Sequence, residues 1–393
     1  MKKIEKDFLA LLRNCLHDKN EMVNCELGDL VYMAKSHICI PFIYIGAKKS
    51  DIEIPDFWKE YMAVFALKNQ QNMSVQGKII KKLLENGITC AVIKGTSVSV
   101  NYKEPIVRTL GDIDILVRPS DYDMAIKLVC GNDCKDESSE DHKFHFKYTI
   151  DGVAVEIHKY VTEYTDDAYG AVTEAFMEKA LDDVEFKRID EFEFPVLKNN
   201  FQAATLLLHI QRHFFENRLP IRMLCDWAMF IQNVDKNEWD DSIYPFISKM
   251  GLNPLSDALT TVCNKYLGNT AFDKVGSSVS DKLVESLMLE FINGGVIKEE
   301  DSLSRSIGSS YSQNRLNSKG KIVPLFMLLN EIARNEFSIA RKSKVFLPLF
   351  WIYIPIRYFV RFMTGKRKRI SLSSFNETAE RKEYILRKLK LND

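Results

Sequence analysis

The sequence predicts an α+β protein, mainly helical, in which a small mixed β-sheet sits between an N-terminal and a C-terminal helical region. Three observations predict it. Residues 1–87 carry apolar side chains at helical spacing almost throughout. Residues 88–166 change to short apolar runs and strict alternation, the period of strands. From about residue 167 the helical spacing returns. The chain is therefore divided into 1–87, 88–166 and 167–393, and its 393 residues are enough to bury a sizeable core.

The elements follow in order. Residues 4–16, 24–36 and 56–86 have amphipathic helical spacing, and the last stretch closes on Asn86-Gly87, a helix-stop signal. Residues 89–93 (TCAVI) read as a short strand, 96–102 as one or two helical turns, and 113–117 as a second strand. A helix is expected from Pro119 to about Cys130 with Ser120 as its N-cap, then a polar loop over 133–142. HKFHFKYTI and VAVEIHKYV flank Asp151-Gly152, the dipeptide preferred in two-residue hairpin turns. Helices are expected over 168–181, 201–215, 221–232, 282–297 and 322–340, with a short extended piece, EFEFPVL, before Phe201. Residues 301–321 are rich in Ser, Arg and Lys and predict a mobile loop.

Bulk properties narrow the function. Lys plus Arg and Asp plus Glu are both 54, so the chain has no net charge to draw it to a nucleic-acid backbone, and duplex nucleic acid is not an expected partner. The eight cysteines are scattered. Only Cys130 and Cys134 are close, and no second pair completes a zinc site. They read as reduced thiols of a cytoplasmic protein. The first 18 residues form a charge-interrupted amphipathic helix, unlike a secretory leader. The longest apolar run, VFLPLFWIYIPI at 345–356, is too short to span a bilayer. It precedes Arg357, Arg361 and the basic run Lys366 to Arg369. The expectation is a buried docking helix followed by a solvated basic loop. The alternative is peripheral membrane contact through 345–369, beside anionic lipid.

The chemistry is concentrated in GDIDILV, residues 111–117. On a strand Asp112 and Asp114 share one face, and Ile113, Ile115 and Val117 share the other. Two like charges so placed repel, and a divalent cation between them removes that cost; hard oxygen ligands favour Mg²⁺ or Mn²⁺. A two-residue turn at 151–152 pairs Lys147 with Glu156 and His145 with His158. That leaves one hairpin face apolar and puts these four polar residues on the other. Lys147 is expected to form a cross-strand ion pair with Glu156. Lys94-Gly95-Thr96-Ser97 follows the first strand and opens a helix, a place where backbone amides and hydroxyls bind phosphate. Arg108 is within reach of such an anion. His209 and His213 share a helix face, but HIQRH lacks the glutamate of a zinc-protease helix. Structural use, or contact with nucleotide or acceptor, is expected instead. Asp226 is expected to pair with Arg222 or with a histidine.

These motifs resemble the DNA polymerase β-like nucleotidyltransferase superfamily. Within it, IKGTSVSVNY, VRTLGDIDILV, DGVAVEIH and LLLHIQRHF…IRMLCDWAMF look like the bacterial "uncharacterised nucleotidyltransferase" family. The turn departs from the superfamily's usual G-G or G-S in being Gly95-Thr96, and its distance to Asp112 is a few residues longer. The resemblance implies an Mg²⁺- or Mn²⁺-dependent enzyme in which Asp112, Asp114 and Glu156 are both catalytic and metal-binding. Lys94, Gly95, Thr96, Ser97 and Arg108 would bind the triphosphate of an NTP, and His158, His209 and His213 would contact substrate. The acceptor would be a hydroxyl of a small molecule, a glycan precursor or a protein, the last being an antitoxin-type AMPylator. A nucleotide-binding regulatory module without turnover is the alternative of a different class.

Overall fold

The computed structural model describes residues 1–50, 52–131, 136–137, 144–162, 168–296, 310–311, 322–337, 339–340, 343–364 and 372–391. The expected mobile loop at 301–321, most of the polar loop at 133–142, Cys134 and the basic run 366–369 lie outside the described residues, apart from 310–311 and 136–137.

The chain begins with four helices, α1 (Lys3–His17), α2 (Leu27–Ser36), α3 (Ile40–Lys49) and α4 (Asp56–Glu85). Helix α3 is absent from the sequence expectation because IPFIYIGAKK is apolar nearly all round and shows no helical period. It packs against α1 so closely that a β-carbon at Gly46 would collide with the Leu11 carbonyl. Helix α4 ends where expected, with Gly87 at a φ of 74°.

Six strands form one mixed sheet: β1 (Cys90–Ile93), β2 (Ile113–Val117), β3 (His145–Ile150), β4 (Val153–His158), β5 (Val184–Ile189) and β6 (Phe192–Leu197), in the order β3-β4-β2-β1-β6-β5. The pairs β2–β4 and β1–β6 are parallel and the others antiparallel. Asp151 and Gly152 have φ of 50° and 75°, as a type I′ turn requires, and the hairpin has the expected register. The sheet runs on past residue 166, because EFEFPVL is a full strand and VEFKRI pairs with it. Strand β5 lies at the sheet edge, where charged residues are tolerated and blur the alternation.

Each face of the sheet has its own cover. Ile113, Ile115 and Val117 pack with Ile79 and Leu83 of α4 and with Ala125 of α6 (Tyr122–Cys130). A 3₁₀ turn at Pro119–Asp121 precedes α6, so Asp121, not Ser120, occupies its N-cap position. On the other face Ala91, Ile93 and Leu116 join the main core with helices α8 (Asn199–Phe215) and α9 (Ile221–Asn233). Helix α5 (Gly95–Ser99) follows β1 directly and touches β1, β2 and α9, and α7 (Ala168–Met177) precedes β5 in the chain. The remaining helices are α10 (Tyr244–Lys249), α11 (Asn253–Val262), α12 (Asp281–Asn293), α13 (Ile322–Glu336), α14 (Leu347–Met363) and α15 (Leu372–Leu389).

Two expectations are corrected here. Helix α14 is not a fully buried docking helix. It shares a small separate core with α13, through Leu329, Ala333, Leu347 and Ile354, and leaves its other side exposed. One neighbouring helix can cover only one side of a helix that is apolar all round. Second, six cysteines are free thiols, but Cys130 is disulfide-bonded, at the point where α6 ends and the chain turns through Gly131 at a φ of 88°. Among the described residues no helix is long and apolar enough to cross a membrane.

Candidate active site

The register of three strands assembles the site. Asp114 on β2 is paired in parallel with Glu156 on β4 and antiparallel with Ile93 on β1. In-register neighbours on adjacent strands project to the same face. Asp114 and Glu156 therefore stand side by side, and Lys94, one residue beyond Ile93, reaches the same place. Its Nζ donates to Asp114 Oδ1 at 2.6 Å. Lys94 makes the turn from β1 into α5 at φ 55° and ψ −136°, a backbone region costly for a side chain with a β-carbon. That strain sits at the residue whose ammonium holds the central aspartate.

His158 is wholly buried behind the carboxylates. Its Nε2 lies 2.8 Å from Asp114 Oδ1 and 3.3 Å from Glu156 Oε2, so it ties the two together. It is not among the cavity-lining residues, and its contacts are those of a support for Glu156 and Asp114, the reading of His158 that stands beside substrate contact. Lys147 makes the expected cross-strand pair, with Nζ 2.8 Å from Glu156 Oε1. Asp112 lies just before β2. Asp114, then burial, then Glu156 push its pKa above the ordinary carboxylate value. For Asp114, burial pushes upward, but Lys94 and His158 outweigh it and the pKa falls. For Glu156, burial likewise pushes upward, and His158, Lys147 and Lys94 bring the pKa well below the usual carboxylate range.

The loop into Asp112 is clamped from behind. Asn69 Oδ1 on α4 accepts from the Leu110 amide at 2.9 Å, and its Nδ2 donates to the carbonyls of Ile106 and Arg108. Asn72 Nδ2 donates to the Gly111 carbonyl at 3.2 Å. Nothing in the amphipathic spacing of α4 marks these two asparagines.

A cavity of about 530 Å³ opens in front of the carboxylates. Asp112, Asp114 and Glu156 line one wall, and Arg212, Arg218 and Arg222, from α8, α9 and the turn between them, line the other together with Glu216, which pairs with Arg212; Arg108 and Glu137 line the cavity as well. Lys94, Gly95, His209 and His213 also line it, whereas Thr96 and Ser97 do not. The Ser97 hydroxyl donates to the Lys94 carbonyl at 2.8 Å, which steadies the turn. The rings of His209 and His213 meet edge to face at 4.5 Å. Burial, then the neighbouring cations, holds the pKa of His209 well below its ordinary value.

Arg108 and Arg222 both line the cavity, but their bonding differs. Arg108 is buried and committed to Asp226, with Nε to Oδ1 at 3.0 Å and Nη2 to Oδ2 at 2.8 Å, and the Tyr102 hydroxyl donates to the same carboxylate at 2.7 Å. So Asp226 pairs with Arg108 and not with Arg222 or a histidine. Arg222, expected only as a partner for Asp226, lines the cavity instead. It donates from Nη1 to the Thr109 carbonyl at 3.1 Å, its buried Nε has no hydrogen-bond partner, and burial and then Arg108 bring its pKa down to about 10. A guanidinium lining a cavity with donor capacity unspent is an anion site in waiting. Its sequence signal was faint: an arginine one helical turn before Asp226.

The donor set suits a hard divalent ion, since the mutual repulsion that raises Asp112 is what such an ion relieves. Among the described residues, the group of histidine and carboxylate ligand atoms that all lie within 4.8 Å of one another is His145, Glu156 and His158. Of the expected triad only Glu156 belongs to that group; Lys94 holds an oxygen of Asp114, and Lys147 one of Glu156.

Carboxylates on one wall and arginines on the other suit an anion that arrives with a divalent metal, and fold and site together belong to the nucleotidyltransferase class of enzymes. The family described as an uncharacterised nucleotidyltransferase matches residues 25–268, and the chain belongs to that family. No curated protein matches the chain.

Proposed function

We propose that the protein transfers a nucleoside monophosphate from an NTP to a hydroxyl acceptor and releases pyrophosphate, using Mg²⁺ or Mn²⁺ held by Asp112, Asp114 and Glu156. The carrying observation is the cavity itself, in which the three carboxylates of the sheet lie across from the arginines of α8, α9 and the turn between them. The acceptor oxygen bonds to the α-phosphorus, and the bond from that phosphorus to the bridging oxygen breaks. A bound metal ion supplies positive charge at the phosphates and lowers the pKa of the acceptor hydroxyl. Arg222, Arg212 and Lys94 bind the β- and γ-phosphates, and Gly95 keeps the wall low where the triphosphate lies. His158 fixes Asp114 and Glu156 relative to each other. Asp226 holds Arg108, which shapes the loop before Asp112. A small molecule, a glycan precursor and a protein side chain all present the required hydroxyl.

The test is pyrophosphate release with each NTP, Mg²⁺ or Mn²⁺ and candidate acceptors, paired with labelled-nucleotide transfer in lysate to find a protein acceptor. Wild type should release pyrophosphate, and the double variant Asp112→Asn, Asp114→Asn should not. Full activity in the double variant refutes the proposal. A second reading, a nucleotide-binding regulatory module without turnover, draws on the Lys94–Asp114 and Lys147–Glu156 pairs, which already neutralise the carboxylates. NTP-dependent thermal stabilisation without pyrophosphate release would favour it.

A further inference from the structure

Helix α14 presents a surface that the transfer chemistry does not use. Leu349, Ile352, Ile356, Val360 and Met363 are each at least half exposed, and Val345 just before the helix is 80% exposed. At 100° per residue these positions fall within an arc of about 100°, so they form one continuous apolar ridge. From Leu349 to Met363 of this helix the ridge runs about 21 Å. The opposite side of α14 is occupied by its contacts with α13, through Leu347 and Ile354. A ridge of this size on a water-soluble surface marks a contact with something else.

The local charge selects the partner. The chain as a whole is neutral, with 54 basic and 54 acidic residues, yet between Glu336 and Glu377 it has nine Lys or Arg and no Asp or Glu. Lys344 lies just before the helix and Arg357 and Arg361 lie within it, while Arg341, Lys342 and the four residues Lys366 to Arg369 flank it in the sequence. A second copy of this chain is a poor partner, since a symmetric contact would bring these like charges together. A bilayer with anionic headgroups satisfies both features, taking the ridge among its acyl chains and the cations at its surface. The helix is too short to cross one.

We propose that α14 lies in the plane of an anionic membrane surface and docks the enzyme there through Leu349, Ile352, Ile356, Val360 and Met363. This inference does not depend on the proposed reaction.

The test is co-sedimentation of the full-length protein with vesicles of phosphatidylcholine alone and with vesicles containing about a third phosphatidylglycerol. Wild type should pellet with the anionic vesicles and stay in solution with the neutral ones, and added salt should weaken binding. The variant Leu349→Asp, Ile352→Asp should lose about tenfold or more in vesicle affinity while keeping its melting temperature and its NTP-induced stabilisation. A second variant, Lys366→Gln, Arg367→Gln, Lys368→Gln, Arg369→Gln, alters no ridge residue and should weaken binding to anionic vesicles only. Failure of wild type to pellet, or pelleting unchanged in both variants, overturns the proposal. So does a wild-type dimer that the Asp variant converts to monomer in the absence of vesicle binding, which would assign the ridge to a second copy.

Discussion

Asp112→Asn and Asp114→Asn should move stability in opposite directions while each removes transfer activity. Asp114 is 4% exposed and accepts from Lys94 at 2.6 Å and from His158 at 2.8 Å, and those partners are 11% and 0% exposed. Removing its charge leaves a buried ammonium without its counter-charge, which costs about 3–5 kcal/mol. Asparagine still offers an oxygen to Lys94, so about 3 kcal/mol is the reasonable figure. Unfolding entropy of about 2.1 cal/mol/K per residue over 393 residues turns that into a fall of about 4 °C in melting temperature. Asp112 has the opposite sign. Its pKa is raised, chiefly by Asp114 and then by burial, so its ionised form opposes folding and Asp112→Asn should raise the melting temperature. The pH dependence gives a second signature. The wild-type Asp112 carboxyl takes up a proton as pH falls through its raised folded-state pKa, so the advantage of Asp112→Asn should shrink toward acid. The depressed pKa of Asp114 means that its contribution is present above the ordinary carboxylate pKa and is lost as pH falls below it. Both variants should lose about a hundredfold or more of pyrophosphate release. Scanning calorimetry at pH 7 and at pH 5, with the transfer assay, tests this. If Asp112→Asn melts as low as Asp114→Asn, the reasoning about crowded carboxylates is wrong.

Three further outcomes are expected. Arg222→Ala should raise the KM or Kd for NTP roughly ten- to a hundredfold, the value of one charged hydrogen bond of about 1.5–3 kcal/mol, and titration calorimetry reads it directly. Asp226→Ala should cost about 3–5 kcal/mol in urea unfolding, because Arg108, itself 6% exposed, would be left buried without its partner; Arg108→Leu combined with Asp226→Leu should recover most of the loss. His37 accepts from the Ile221 amide at 3.3 Å, and burial pushes its pKa down to about 4 against an ordinary value of 6.5. Its unfolded form therefore gains a proton that the folded form refuses. It should lower stability by about 3 kcal/mol as pH falls from 6.5 to 4, a slope that His37→Gln removes from a pH series of urea midpoints.

What the sequence showed depended on periodicity. Strict alternation around Asp151-Gly152 fixed the hairpin register down to the pairing of Lys147 with Glu156, and the alternation of GDIDILV correctly sent Ile113, Ile115 and Val117 to the helix-covered face. Periodicity was silent where burial is uniform or the strand is peripheral, so α3 and β5 went unseen. It also says nothing about which distant groups meet. Arg108 and Arg222 are equivalent in sequence, each an arginine among apolar residues. Only the fold decides that Asp226 takes Arg108 and leaves Arg222 with an unpaired Nε at the cavity. Likewise Asn69 and Asn72 look like solvent-facing positions of a long helix until the loop at 106–111 is laid against them.

Those cross-chain contacts also account for the extent of the family match. The carboxylates and the Lys94 turn lie within residues 94–156, yet the match runs from 25 to 268. Asp112 is approached by a loop that α4 holds from one side, through Asn69 and Asn72, and that α9 holds from the other, through Asp226 on Arg108 and Arg222 on the Thr109 carbonyl. Neither side alone fixes the loop: the first set binds its main chain, and the second neutralises and orients the one charged side chain buried within it. A sheet excised at 88–166 would keep Asp114 beside Glu156 by strand register but would lose both clamps on the loop before Asp112, and with them the arginine wall of the cavity. The catalytic unit is thus the sheet together with helices on both of its faces, which is the stretch the family match covers. The apolar ridge of α14, at 347–363, lies beyond it.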